Sequence, residues 1–306
     1  MYDLIIIGGG PAGIAAGVYA ARKRLNTLFI TYEWGGQSIV SDEIQNWIGT
    51  KAISGAELAS SLRGHLEAYK ADIVAIKEHE LVTKIATATT GFTVSTDAGG
   101  SYDTKTILIA SGSHRRKLDI PGAAAFEHKG ITYCASCDGP MFSDKDVVVV
   151  GGGNAGFETA AQLLAYTKSV TLLQRGEEYR ADPITVQKVL ANPKMRGITN
   201  TELVEVKGDQ FVTGIIYKDL ADGAIKEIPC DGIFVEIGLI PATEYVKDVV
   251  ELNKYGQVVT DPRTQATKTP GIWAAGDCTD NLYHQNNIAA GDAVRALEDI
   301  YMHLHA

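Results

Sequence analysis

One pattern occurs twice in this chain, and few folds can carry it. The unbroken apolar run Leu4-Ile5-Ile6-Ile7 leads into Gly8-Gly9-Gly10-Pro11-Ala12-Gly13. The alanine-rich stretch Ala12–Arg22 and the apolar run Thr27-Leu28-Phe29-Ile30 follow. Val147–Val150, Gly151–Gly156, Ala155–Ala165 and Ser169–Leu173 repeat this element by element. A continuous apolar run of this length is a strand buried on both faces, as in a parallel sheet. In the turn, Gly8 permits the tight bend, Gly10 lets a backbone approach a pyrophosphate, and Gly13 lets the helix lie close to the sheet. The first amides of the helix and its dipole favour phosphate charge. A glycine fingerprint alone is weak evidence. Placed between a strand and a helix, it is a strong sign of a dinucleotide site.

The fold class expected is therefore α/β, with two dinucleotide-binding, Rossmann-like, three-layer domains. Each carries a small antiparallel meander. The first meander is read between Leu81 and Tyr102, around the Gly99-Gly100 turn. The second comprises Thr199–Val206, Gln210–Lys218 and Ala224–Pro229. Two such folds in one chain predict two different dinucleotides. Glu33, 25 residues after Gly8 and a little beyond its strand, has the reach for a ribose hydroxyl. The matching residue of the second fold, taken as the end of its strand, is Gln174. It is neither the acid expected for NAD nor decisive for NADP. Arg175 and Arg180 have the chemistry to clamp a 2′-phosphate. Glu177 and Glu178 lie between them, and a solvated charged loop is the competing reading.

Four cysteines are present, and two of them are separated by two residues in Thr132-Tyr133-Cys134-Ala135-Ser136-Cys137-Asp138. That spacing suits a reversible disulfide rather than a scaffold bridge. One thiol of such a pair is a thiolate near neutral pH, and exchange runs through it. Asp138 has the reach to hand protons to a leaving sulfur. A zinc site would need a second pair at ligand spacing, which is absent, so no metal is expected. Chance spacing of buried thiols explains neither Asp138 nor the glycine turn that follows about ten residues later.

Composition narrows the class. A net charge of −9 argues against a general nucleic-acid or acidic-membrane binder. No run of about 20 apolar residues is present, so no membrane span is expected. Met1-Tyr2-Asp3 leads at once into the first strand, without a basic segment or a cleavage site. The expectation is a cytoplasmic protein without a signal peptide. Further along, Thr106–Gly112 is a buried strand ending in small residues, Ala110 and Gly112 among them. There a backbone can pass close to a cofactor. Gly271–Asp277 is a short strand ending in Gly276-Asp277, whose carboxylate suits a polyol hydroxyl. His284-Gln285 precedes the last helix, read as Ile288–His303.

Taken together, these motifs resemble the low-molecular-weight thioredoxin reductase family over nearly the whole chain. The marks are Gly8–Gly13, Gly35-Gly36-Gln37, Glu43–Gly49, Cys134–Asp138, Gly151–Gly156, Gly276-Asp277 and Gln285. The catalytic core of the alkyl hydroperoxide reductase flavoprotein subunit is also similar, in Cys137–Pro140 and Gly276-Asp277-Cys278. That subunit has an additional N-terminal thioredoxin-like module. This chain starts at the flavin strand, so the expectation is a free-standing reductase of a separate small carrier. The resemblance implies an FAD domain made of 1–115 and 245–306, with an NAD(P)H domain carrying the cysteines at 116–244. It implies FAD contacts at Gly8, Gly10, Pro11, Ala12, Gly13, Glu33, Gly36, Gln37, Asn46, Ala110, Gly112, Gly276, Asp277, His284, Gln285 and Asn286. The NAD(P)H contacts implied are Gly151, Gly153, Asn154, Ala155, Gly156, Glu158, Gln174, Arg175 and Arg180. It further implies electron flow from NADPH or NADH through FAD to the Cys134–Cys137 pair, then to thioredoxin or a similar small disulfide protein. In that scheme Cys137 faces the flavin, Cys134 attacks the carrier and Asp138 manages protons. The resemblance also implies a homodimer, with domains that rotate about the two crossings between them.

The second turn departs from the family pattern. NADPH-specific members carry a His-Arg-Arg run and a later arginine. Here the run is Gln174-Arg175-Gly176, followed by Arg180. Gly156 replaces their usual alanine and leans towards NADH, yet the glutamate of peroxide-linked relatives is missing at Gln174. Two alternatives therefore stay open: an NADH-dependent reductase of a peroxiredoxin system, and the same dithiol chemistry fed by ferredoxin or another protein donor. A flavin-bound redox sensor without turnover explains neither Asp138 nor the second turn.

Overall fold

The structure is a computed structural model. It describes residues 1–306 except Asp42 and the side chains of Val40 and Cys137. The first part of the chain runs β1 (Tyr2–Gly9), α1 (Pro11–Arg22), β2 (Thr27–Trp34), α2 (Gly55–Lys70), β3 (Val74–Glu78), β4 (Val82–Thr87), β5 (Phe92–Thr96), β6 (Ser101–Ile109) and β7 (Ser113–Arg115). The middle runs β8 (Ile131–Thr132), α3 (Ala135–Asp138), β9 (Asp146–Val150), α4 (Asn154–Leu163), β10 (Ser169–Leu173), α5 (Pro183–Leu190), β11 (Met195–Ile198), β12 (Thr201–Gly208), β13 (Val212–Asp219), β14 (Ile225–Pro229) and β15 (Gly232–Val235). The chain ends with β16 (Leu239–Pro241), β17 (Ile272–Ala274) and α6 (Asn286–Leu304).

The chain forms two compact units. Unit 1 comprises Met1–His114 and Ile240–Ala306, and unit 2 comprises Arg115–Leu239. The chain passes between them twice, and those passages pair as the ribbon β7–β16.

In unit 1 the parallel order is β3-β2-β1-β6, with β17 also on β6. The unbroken Leu4–Ile7 run is explained by the pleat. Leu4 and Ile6 enter the core under α1 and α6, while Ile5 and Ile7 enter the core on the opposite face. Each such fully buried side chain contributes about 1.5–3 kcal/mol of transfer free energy. The expected first meander is present but is not a separate sheet. β6 pairs antiparallel with β5 through Ser101–Thr104 and parallel with β1 through Thr104–Ile109, so the hairpin continues the main sheet. Helix α2 starts at a capping box, in which Ser54 accepts from the Glu57 amide and Glu57 accepts from the Ser54 amide.

In unit 2 the parallel order is β11-β10-β9-β15-β8. Val147 and Val149 face the helix-side core with Phe157, and Val148 and Val150 face Val206, Val212 and Ile215. Those three residues belong to the separate antiparallel sheet β12-β13-β14, the expected second meander. Unit 2 is thus three layers deep. Among the described residues, no helix is long and apolar enough to cross a membrane.

Candidate functional site

The two glycine turns have the same construction. Gly8 and Gly151 take φ values of 119° and 120°, a region that favours glycine. A side chain at Gly8 would run into the carbonyl oxygen of Ala110, and one at Gly151 into that of Glu236. The Ala110 amide donates to Ile7 O at 2.9 Å, and the Glu236 amide to Val150 O at 2.8 Å. In both turns the last glycine, Gly13 or Gly156, packs against the carbonyl of the first. Gly10 and Gly153 precede their helices with extended backbones and no side-chain cap. The first-turn amides of α1 and α4 are therefore left for another acceptor.

In unit 1 the turn opens into a cavity of about 1140 Å³. Gly8, Gly10, Pro11, Ala12, Glu33, Gly36, Gln37, Ala110, Gly112, Gly276, Asp277 and Asn286 all line it. Gly13 lies beneath the turn. Gly10 and Gly36 face each other as bare backbone: a Cβ added to one would lie 3.9 Å or 3.4 Å from the Cα of the other. Two opposed glycines and free helix amides fit the passage of a pyrophosphate. Gln37 Nε2 donates to Ser113 Oγ at 3.1 Å and Asp277 Oδ2 at 3.2 Å, which ties three parts of the wall together. Glu33 lies inside β2 rather than beyond its end, because that strand runs on to Trp34.

Asn46, His284 and Gln285 are outside the cavity lining, and two of them, Asn46 and Gln285, are joined. Asn46 Nδ2 donates to Gln285 Oε1 at 3.2 Å, and Asn287 Nδ2 donates to Asn46 O at 2.7 Å. His284 Nε2 is buried and has no hydrogen-bond partner among the described residues. The sequence reading missed Ser38, Ser113, the residues Val82, Thr83, Lys84 and Ile85 of β4, and most of the stretch 240–248, which line the cavity. Their residue types carry no motif, and only the fold brings them together.

In unit 2 the side chains around the turn are largely engaged. Asn154 Oδ1 accepts from the Asp182 amide at 2.8 Å. Gln174 is buried, its Oε1 accepting from the Gly152 amide at 3.1 Å and its Nε2 donating to Glu178 O at 2.9 Å. Gln174 therefore holds the loop together instead of presenting a free group. Ile7 pairs with Ile30, and Val150 with Leu173. Beyond Ile30 the register of β2 shifts, so that Gly9 pairs with Trp34. Arg175 and Arg180 are exposed, and neither forms an ion pair among the described residues. Glu158 is exposed on α4 beside Ala155.

The cysteine segment has a counterpart in unit 1. β8 lies beside β15 as β17 lies beside β6, with Thr132 opposite Phe234 and Trp273 opposite Leu108. Counting on, Cys134 takes the place of Ala275, and Ser136 that of Asp277. Both strands thus end at the carboxyl edge, next to a glycine turn. Cys134 is disulfide-bonded, whereas Cys230 and Cys278 are free and buried. Burial pushes the Cys230 thiol up to about 12 and that of Cys278 up to about 11, so both are poor nucleophiles. The expected orientation of Cys137 concerns a side chain outside the described residues. The Thr132 hydroxyl donates to the Asp138 carboxylate, and the Asp138 amide donates to Cys134 O at 3.0 Å. Thr132 thereby anchors the carboxyl that follows the cysteines. Among the described residues no group of acids, histidines and cysteines could hold a metal.

Residues 2–293 match the pyridine nucleotide-disulphide oxidoreductase family. The chain belongs to that family. Its fold is that of thioredoxin reductases. The enzyme of Streptococcus pyogenes is 34% identical with a TM-score of 0.88 over 100% of this chain and 98% of its own. That of Giardia duodenalis is 30% identical with a TM-score of 0.90 over 100% and 99%. Among curated relatives, the alkyl hydroperoxide reductase F subunit of Pseudomonas aeruginosa is 39% identical over 99% of this chain and 58% of its own length. A Bacillus subtilis protein named NADH dehydrogenase is 37% identical over 96% and 57%. The chain thus spans less than two thirds of either curated relative. The family implies a flavin and a nicotinamide nucleotide, and each glycine turn fits one dinucleotide.

Proposed function

We propose that this protein is an FAD-dependent disulfide oxidoreductase. It carries electrons from a nicotinamide dinucleotide to the Cys134–Cys137 pair and on to thioredoxin or a similar small disulfide protein. The observation that carries this reading is the placement of disulfide-bonded Cys134 at the carboxyl edge of the sheet that bears the second glycine turn. FAD, when bound, supplies the two-electron relay between nicotinamide and disulfide.

The residues of unit 1 bind it. The α1 amides and Gly10 hold the pyrophosphate, Glu33 accepts from the ribose, and Asp277, steadied by Gln37, accepts from the polyol. In unit 2 the α4 amides hold the nicotinamide dinucleotide. Reduction of the disulfide leaves two sulfurs that need protons, and Asp138, oriented by Thr132, is the group placed to move one. Cys134 then attacks the carrier disulfide as a thiolate. A new S–S bond forms to one carrier sulfur, and the other leaves and is protonated.

Anaerobic mixing of the yellow protein with NADH or NADPH, followed by oxidised thioredoxin, tests this. Bleaching and then recovery of the flavin absorbance is the expected result. Bleaching without recovery on thioredoxin, but with recovery on an oxidised peroxiredoxin partner, favours the second reading. Its motive is the 37–40% identity to the alkyl hydroperoxide reductase F subunits and the B. subtilis protein. Absence of bleaching by either nucleotide overturns the nicotinamide assignment and points to a protein donor.

A further inference from the structure

Thr132 closes β8 and is only 6% exposed, so its hydroxyl depends on protein partners. In β17 the matching place holds Trp273, so this strand end does not require a hydroxyl. Thr132 Oγ1 donates to Asp138 Oδ2, six positions further on. The Cys134 amide donates to the same Thr132 oxygen at 3.5 Å. The Asp138 amide in turn donates to Cys134 O at 3.0 Å. Residues 132, 134 and 138 are thereby closed into one hydrogen-bonded ring around the cysteine segment.

A threonine hydroxyl has one proton to give and two lone pairs to offer. Here the proton goes to the carboxylate, and the Cys134 amide uses the acceptor side. A hydrogen bond of this kind is stronger to an ionised carboxylate than to a neutral carboxyl. It therefore favours the charged form and lowers the pH at which the acid takes up a proton. The low dielectric around a buried hydroxyl strengthens the effect.

We propose that Thr132 is a positioning residue that keeps Asp138 ionised and so sets the pH range in which Asp138 takes a proton from a thiol. This rests on the reading of Asp138 as the group that moves protons during disulfide exchange. In that step the Cys134 thiol gives its proton to the Asp138 carboxylate, and its sulfur bonds to one carrier sulfur. The carrier S–S bond breaks, and the leaving sulfur takes the proton back from Asp138. Thr132 touches no reacting sulfur in this step and acts through the carboxylate alone.

The neighbouring elements bring few competing groups to this segment. Tyr133 donates to Glu127 at 3.0 Å, and Glu127 also pairs with Lys117. Tyr166, beyond α4, donates to Ala135 O at 3.4 Å. Burial pushes both tyrosine hydroxyls up, so they stay neutral where a carboxyl titrates. From α4, Gln162 accepts from Ser136 at 3.1 Å. Lys145 lies 5.6 Å from the centre of the Phe142 ring. In the oxidised protein Cys134 is held in a disulfide and does not titrate.

The test is the titration of Asp138 itself, by carboxyl-carbon NMR of the oxidised, flavin-loaded protein carrying isotope-labelled aspartate. Loss of the resonance in Asp138→Asn assigns it. Thr132→Val keeps the shape of the side chain and removes the hydroxyl. It should raise the midpoint by about one pH unit, or about tenfold in proton affinity. Thr132→Ser should bring the midpoint back to the parental value. With oxidised glutathione as the probe disulfide, the acid limb of dithiol oxidation should move upward in Thr132→Val. Flavin content checks that each variant is folded. If the Thr132→Val midpoint superposes on its parent or falls, or if Thr132→Ser does not restore it, the assignment of Thr132 is wrong while the dithiol reading stands. If Asp138→Asn exchanges with glutathione at the parental rate, the reading of Asp138 as the proton carrier fails, whatever the midpoints show.

Discussion

Units 1 and 2 are built on one plan and put to different uses. Each has a buried central strand, a glycine turn whose first residue faces the carbonyl of a neighbouring strand end, and an outer parallel strand reaching the same edge. In unit 1 the outer strand is β17, the last of the chain, and it delivers Gly276-Asp277 to the cavity. In unit 2 it is β8, which precedes the central strand and delivers Cys134. The same corner holds Ala110 in one unit and Glu236 in the other. The teaching of the pair is that the strand edge fixes where chemistry happens, while a few residues at its end decide which chemistry it is.

The sharpest way to break the comparison is to damage one turn at a time. Gly8→Ala forces a side chain into left-handed backbone and into the Ala110 carbonyl, at a cost of at least about 1–2 kcal/mol before the clash is counted. Purified Gly8→Ala should lose most of its flavin, visible in its absorbance spectrum. Gly151→Ala should keep full flavin and lose reduction by nicotinamide at least a hundredfold in a stopped-flow trace. Equal loss of flavin in both variants would show that the turns do not serve separate ligands.

Cys134→Ser is next in size. Carrier reduction should fall at least a thousandfold while flavin content stays at the parental level, measured in a coupled disulfide-reduction assay. A smaller effect belongs to the outer-strand ends. Asp277→Ala should weaken flavin retention about tenfold to a hundredfold on dialysis, since a charge-assisted hydrogen bond is lost. Ser136→Ala at the matching place should leave flavin retention and nucleotide affinity unchanged. The loop after β10 gives a further contrast. Gly176→Arg should move the ratio of NADPH to NADH kcat/KM upward about tenfold, because a guanidinium beside Arg175 pairs with a 2′-phosphate. The smallest effect is confined to unit 1, at the capping box that opens α2. Ser54→Ala should cost about 1 kcal/mol in urea denaturation and leave flavin reduction by nicotinamide untouched.

Much of this was legible in the residues, for reasons that differ by element. The runs Leu4–Ile7 and Val147–Val150 and both glycine turns announce themselves, because a strand buried on two faces and a turn without room for Cβ leave few alternatives. The continuity of the first meander with the main sheet was not legible, since it depends on β6 being long enough to pair in both directions. Gln174 reads as the discriminating residue from its place after the apolar run, just beyond the end of β10 at Leu173. That its side chain is taken up by the Gly152 amide and Glu178 O depends on the fold of the loop, which no residue pattern announces. Glu236 and Arg115 lie 121 positions apart, so their pairing follows only from the fold.

The most direct measurement is anaerobic stopped-flow of the flavin-loaded protein against NADH and NADPH separately, followed by titration of thiols. The account predicts bleaching of the flavin by at least one nucleotide. It also predicts two new thiols per chain, with Cys134 among them by peptide mapping. Persistence of the oxidised flavin spectrum with both nucleotides, and no new thiol at Cys134, would contradict it.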